Sequence, residues 1–279
     1  MKTSNKLLIA FTATLIVLPV LVMAFVSKMY YTDAKNWADL EKQNETFDGK
    51  SENMEAIPLN QFNAINIADG KETGFYIHLV KDKKFGVKVA KSEKEFIKFG
   101  VDKDGRLQIN LNPKNEKYNY IELFVYAPET SALSANNISD LELKAKGNTL
   151  ALNLKKFMNL KFHEASLIQK LSINAENGYT NIEENAIAKS IYLNLKNANF
   201  RSDGVSFEDL DITAIGNSRI DVFGGYDTEK KYTIRNLTLK TIDSAEVTFR
   251  SIDIKKAKGS LSDQTTVLLP VINLKQMLK

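Results

Sequence analysis

Few side chains in this chain could carry chemistry. His78 sits between Ile77 and Leu79, on the face opposite the apolar set and so expected in water, and His163 follows Phe162 beside Glu164. Either imidazole could act as a general base, but neither has a nucleophile motif nearby. Asp140, Glu142, Asp209, Asp211 and Asp253 fall at outward positions of alternating runs. Clustered, such acids cleave polysaccharides or hold calcium. Aligning the repeats, however, puts Ser172, Tyr192 and Thr238 at the positions between Glu142, Asp211 and Asp253, so no unbroken carboxylate column is expected. Asn177, Asn197, Asn199, Asn217 and Asp243 recur in short turns. They could line a polar ligand site; the stronger reading is a ladder in which amides bond between stacked turns. Trp37, the only tryptophan, could be a ligand platform, though packing or an interfacial position explains it equally well.

Composition removes other chemistries. The chain has 279 residues and no cysteine, which excludes disulfides, thiolate zinc, iron–sulfur clusters, a cysteine nucleophile and lipidated cysteine. There is no glycine-rich phosphate loop. Three lysines and no acid lie in residues 1–31, leaving 35 of the 38 basic residues against all 34 acidic ones. Nucleic-acid binders concentrate positive charge instead, so nucleic acid is not an expected partner. No catalytic, cofactor-binding or metal-binding residue is assigned, and the protein is read as a non-enzyme without a cofactor.

The elements that must position any site are strands. From Phe62 onward apolar and polar residues alternate, as in Phe75, Ile77, Leu79; Phe85, Val87, Val89; Leu107, Ile109, Leu111; and Ile121, Leu123, Val125. Period two places each set on one face of a strand. Turn residues such as Lys81-Asp82-Lys83-Lys84 and Asp102-Lys103-Asp104-Gly105 separate the runs. Lysines here, with Lys91 and Lys94, read as a solvated face that guards strand edges.

After Pro128 the pattern repeats. Strands beginning at Leu141, Leu171, Ile191, Leu210, Leu237 and Ile252 each lead into a turn of Asn, Asp, Gly, Ala or Ser. Their spacings after the first, 20, 19, 27 and 15 residues, suggest one coil of a β-solenoid per repeat. The 27-residue step carries a projecting loop, Gly224 to Lys231. The expected fold is all-β: a right-handed parallel β-helix of about seven to ten coils, preceded by one transmembrane helix.

That helix is read from Leu7–Val26, twenty residues without charge, which span about 30 Å as a helix and match the bilayer core. Lys2 and Lys6 precede it and Lys28 follows, favouring a cytoplasmic amino terminus and an exterior main domain. A cleaved signal peptide competes, but the run is longer than an ordinary signal core and Val22-Met23-Ala24 is a weak cleavage site. The expected organisation is a short cytoplasmic tail (1–6), a signal-anchor helix (7–27), a polar tether (28–57), helical over 33–43, the solenoid (58–270) and a carboxy-terminal tail (271–279). Asn44-Glu45-Thr46 fits the glycosylation pattern, which matters only in a cell that glycosylates.

The opening Phe62-Asn-Ala-Ile65-Asn-Ile67, the later Val125-Tyr-Ala-Pro128, and turns such as Ala214-Ile-Gly216-Asn217-Ser218 and Lys256-Ala-Lys258-Gly259-Ser260 resemble the auto-transporter adhesin head GIN domain family. The likeness runs over about residues 58–270, although most turns carry Asn, Asp or Ala where that family prefers Gly. It implies a bacterial envelope β-solenoid and brings no catalytic residues. The expected role is a membrane-anchored, exterior binding, adhesin-like or scaffolding surface for an envelope protein or polysaccharide. Two other roles stand beside it: an envelope sensor acting through a membrane partner, since residues 1–6 are too few for an effector, and a polysaccharide-active enzyme.

Overall fold

The computed structural model describes residues 3–30, 43–112, 120–183, 187–226 and 229–277. The chain divides into two units, Met1–Glu45 and Thr46–Lys279. In the first, helix α1 runs Thr3–Tyr30 with Pro19 inside it. Its stretch Phe11–Lys28 is long and apolar enough to cross a membrane. The helix is longer than the expected 7–27 because hydropathy marks only the part that lipid would cover, while backbone hydrogen bonding carries on into the polar flanks. Trp37 and the helix expected over 33–43 lie outside the described residues, Gln43 excepted.

The second unit is a stack of strands. At its amino-terminal end lie β1 (Met54–Pro58), β2 (Ala64–Ile67), β3 (Thr73–Lys81), β4 (Gly86–Ala90), β5 (Ile97–Val101), β6 (Arg106–Leu111) and β7 (Tyr120–Ala127). Here the pairing is mixed. β1 with β4, β4 with β7, and β5 with β6 are antiparallel, whereas β2 with β6 and β3 with β7 are parallel. Two expectations change. Met54–Pro58 leaves the tether to become an edge strand, and the stack between residues 58 and 128 is not a pure parallel solenoid. Short turns such as Asp102–Gly105 allow neighbouring strands to fold straight back, which favours hairpins over coils.

β8 (Ala132–Phe162) then runs 31 residues without a break and pairs in turn with β2, β3, β9 (Leu167–Glu176) and β10 (Tyr179–Glu183). It rounds corners where Asn137 and Lys156 take left-handed backbone. Beyond it, parallel coils repeat through β11 (Ile187–Lys196), β12 (Asn199–Asp203), β13 (Phe207–Ile215), β14 (Arg219–Phe223), β15 (Thr233–Ile242), β16 (Glu246–Arg250), β17 (Asp253–Ser260) and β18 (Thr266–Leu268). One face stacks β9, β11, β13, β15 and β17; the other stacks β10, β12, β14, β16 and β18.

Register corrects the phase of the repeat at both ends. Leu150, Leu171, Ile191, Leu210, Leu237 and Ala257 stand side by side. The last step is therefore 20 residues, not 15, because Ile252 only leads into β17, whose first residue Asp253 pairs with Thr233 rather than with Leu237. Leu141 pairs instead with Phe75. Inward columns such as Leu152, Ile173, Leu193, Ile212 and Leu239 are all but inaccessible to water. Each coil buries its Leu and Ile only because a neighbour continues the column, which ties stability to stacking.

The end of the stack is closed by α2 (Val271–Met277), where the sequence suggested only a tail. The last coil has backbone groups with no further strand to meet, and buried polar groups need partners. Asn273, buried, donates from Nδ2 to the Ile254 carbonyl at 2.9 Å, and Gln276 Oε1 accepts the Ala257 N–H at 2.8 Å. Leu274 and Met277 pack against the core.

Candidate functional site

Outward positions of the β9–β17 face form ridges, because parallel register places equivalent side chains directly above one another. The central ridge is rich in amides. Gln108, Asn66 and Ser134 share a register at one end; Asn153, Asn174, Asn194, Thr213, Lys240 and Ser260 continue it. Asn66 donates to Gln108 Oε1 at 2.6 Å, Asn153 to Ser134 Oγ at 3.4 Å, and Asn174 to Asn153 Oδ1 at 2.8 Å. Beside it runs a charged ridge in which Lys155 and Lys196 hold Glu176 from both sides, at 3.3 and 2.8 Å. Hydrogen bonds from these two ammonium groups pull the Glu176 carboxyl below its usual range. Between the ridges lies an open groove of about 400 Å³, lined by Asn66, Ser134, Asn153, Asn174 and Asn194 with Ala135 and Ala175 at its floor. Each amide offers donors and an acceptor to solvent at the strand spacing, about 4.8 Å.

Sequence reasoning singled out the turn asparagines and passed over this ridge. The signal was present: Asn153, Asn174 and Asn194 hold the same place in successive repeats. They looked like ordinary polar partners in alternating strands until register aligned them.

The turn residues have a different role. Lys156, Asn177, Asn197, Gly216 and Asp243 are equivalent corner positions, each with φ between 49° and 67°. Asn, Asp and Gly tolerate this left-handed backbone, which explains why they interchange there. Part of the expected ladder is present: Asn197 Oδ1 accepts the Asn217 N–H at 3.0 Å and Asn199 Oδ1 accepts the Arg219 N–H at 3.2 Å.

The acids do not converge. Asp209 accepts from Ser190 Oγ at 2.8 Å and Asn236 Nδ2 at 2.9 Å, a polar row across three coils that lowers its pKa. Asp140 accepts from Asn159 at 2.8 Å, and Asp253 pairs with Lys255. The Asp211 column reads Ala151, Ser172, Tyr192, Asp211, Thr238, Lys258, so Glu142 and Asp253 were never in it. Among the described residues, no three His, Asp or Glu side chains are grouped to hold a metal.

His78 reverses its expected exposure. It is 4% exposed, stacked on Phe124 at 4.0 Å and 9°, with Tyr76 at 4.1 Å on it. Its Nε2 lies 2.8 Å from Glu122 Oε1. His163 stacks against Tyr76 at 6.0 Å, so one tyrosine links the chain's two imidazoles. His163 Nδ1 accepts the Ala165 N–H at 3.1 Å, within its own turn. Both rings fill packing positions. Lys88 is likewise buried on the outer face of β4, donating to the carbonyls of Thr46 at 2.9 Å and Gly49 at 2.7 Å. Burial lowers its pKa, against the pull of Asp48 and Asp82.

The fold is a β-solenoid whose described outer face carries hydrogen-bonding ridges along the stacked strands. Residues 61–230 match the family described as "Putative auto-transporter adhesin, head GIN domain", and the chain belongs to that family. Strands β15 to β18 lie beyond the match yet keep the register of the coils within it. No curated protein matches the chain in sequence. A putative adhesin from Bacteroides fragilis is 13% identical, covering 78% of this chain and 98% of its own, with a TM-score of 0.44. A putative lipid binding protein from Parabacteroides distasonis is 16% identical over 80% of this chain and 95% of its own, TM-score 0.43. A putative adhesin from Parabacteroides merdae is 14% identical over 80% and 98%, TM-score 0.39.

Proposed function

We propose that this chain is a non-enzymatic envelope protein, anchored by α1 with its amino terminus in the cytoplasm, whose exterior solenoid binds an extended envelope polymer along the amide groove. The tether expected over 28–57 is confined to the polar residues between α1 and Thr46. The apolar run with Lys2 and Lys6 before it and Lys28 after it supports the anchor and its direction. The observation that carries the binding role is the exposed row Asn153, Asn174 and Asn194, repeated at strand spacing beside the Lys155–Glu176–Lys196 ridge. An extended polymer with regularly spaced hydroxyl or amide groups meets several such amides at once, and each added contact multiplies the retention of the rest.

The test is co-sedimentation of the full chain, in detergent micelles, with insoluble peptidoglycan sacculi, chitin and cellulose. Retention on at least one polymer is expected, reduced about tenfold or more when Asn153, Asn174 and Asn194 are all changed to Ala. Retention on none of the three, or equal retention by the triple variant, overturns the reading.

A further inference from the structure

The second face of the stack carries a separate feature. Four of the five steps in register from Leu150 to Ala257 are close to 20 residues, but the one from Leu210 to Leu237 has 27, and the surplus falls between β14 and β15. Its base is fixed by glycine. A Cβ on Gly224 would lie 1.7 Å from the Ser251 carbonyl oxygen, and Gly225, at φ 84°, sits against the Tyr232 ring and the Gly204 backbone. The chain is thus pressed onto the stack at Gly224 and Gly225.

Beside these glycines lies an open groove of about 590 Å³ lined by Tyr179, Asn181 and Glu183 of β10, Arg201 and Asp203 of β12, and Tyr226 and Tyr232. Tyr226 is 84% exposed and is held at one edge by Phe223, ring centroids 4.8 Å apart. A large aromatic ring in water beside the groove invites a ligand with an apolar surface. The polar lining is already ordered: Asn181 donates to Glu183 Oε1 at 2.6 Å, and Arg201 meets Asp203 at 3.3 Å. The lining thus combines tyrosine rings with fixed hydroxyl-binding groups, two carboxylates and one guanidinium.

We infer that this groove is a saccharide-binding site, taking neutral or amine-bearing pyranose units that stack an apolar ring face on tyrosine while their hydroxyls meet Asn181, Arg201 and the carboxylates. A pyranose has both surfaces, and the charge of the lining disfavours acidic sugars. The inference rests on the exterior binding role proposed above but uses different residues on a different face.

Titration calorimetry with soluble chitotetraose, cellotetraose and maltotetraose tests it, using the full chain in micelles whose detergent lacks a sugar headgroup. Binding of at least one is expected, weakened about 2–10-fold by Tyr226→Ala and restored by Tyr226→Phe, which keeps the stacking ring. The exposure of Tyr226 leaves the fold outside the change, checked by an unaltered melting temperature. Tetrasaccharide binding should persist in the Asn153/Asn174/Asn194→Ala variant. No binding of any tetrasaccharide, or unchanged binding by Tyr226→Ala, overturns the inference while leaving the polymer result on the amide face to stand or fall alone. Loss in the amide variant instead would place the sugar on the other face and overturn it too.

Discussion

The two ends of the solenoid use the same alternating strands differently. In β9, β11 and β13 one face is core and the other is open: Leu193 and Ile212 are buried, whereas Asn174 and Asn194 stand in solvent. In β3, β4 and β7 part of the outer face is covered as well. Behind Phe75, Ile77, Val87 and Leu123 lie His78, Lys88 and Tyr126, themselves at most 4% exposed. The segment 46–49 folds over this outer face, with Phe47 edge-on to Tyr126 at 5.5 Å and two of its carbonyls on Lys88. Antiparallel pairing makes this possible, since short hairpins return the chain over ground already built, while a parallel coil moves it one step further along. The amino-terminal end is therefore built as a closed block, and the coils beyond it keep an outer face free for contact.

Substitutions can break or sharpen this contrast. The largest effect belongs to the shared core. Ile212→Ala, in the middle of the inward column, is expected to cost about 2–5 kcal/mol, read by urea unfolding; a loss below about 1 kcal/mol would mean that the coils do not depend on the continuous column.

Lys88→Met tests the covered face and is expected to cost about 1–3 kcal/mol, because it takes the Lys88 donor from the Gly49 carbonyl and leaves the Thr46 carbonyl with the Gly49 N–H. It also carries a pH signature. The folded pKa of Lys88 lies below its ordinary 10.5, through burial, so between the two values the unfolded chain holds more protons and wild-type stability rises with pH. Below the folded value that gain is absent. Unfolding of wild type and Lys88→Met as pH is raised toward 10 should show the difference widen, wild type gaining on the variant. This window stays below pH 10, where Tyr126, its pKa raised by burial, begins to act in the opposite direction. A pH-independent difference would show that Lys88 is not held in the buried setting described.

Asn174→Ala tests the open face and has the smallest expected effect, within about 0.5 kcal/mol of wild type. A cost above about 1.5 kcal/mol would make the amide ridge a structural ladder first and a contact surface second.

Legibility followed the same division. Period-two alternation exposed nearly every inward side chain from Ile65 to Leu239, since burying one face demands that period whatever the pairing partner. It could not show that His78, at a polar position of β3, is covered, because what folds over an outer face is not written in the strand beneath. Nor could it phase the repeat: Ile252 and Leu237 look equivalent as apolar strand starts, and only hydrogen-bonded register shows that Ala257 is the true neighbour of Leu237. A short helix in residues 271–277 was also hidden, because its cause is the unmet backbone of the last coil rather than its own periodicity.

Local alternation, the corner residues and the uncharged amino-terminal run are properties of neighbouring residues, and the amino-acid order alone determined them. The amide ridge, the tyrosine-lined groove, the burial of His78 against Phe124 and the capping of the last coil join residues about 20 or more positions apart. Such contacts depend on how far each coil advances and where the chain doubles back, so only the tertiary structure decided them.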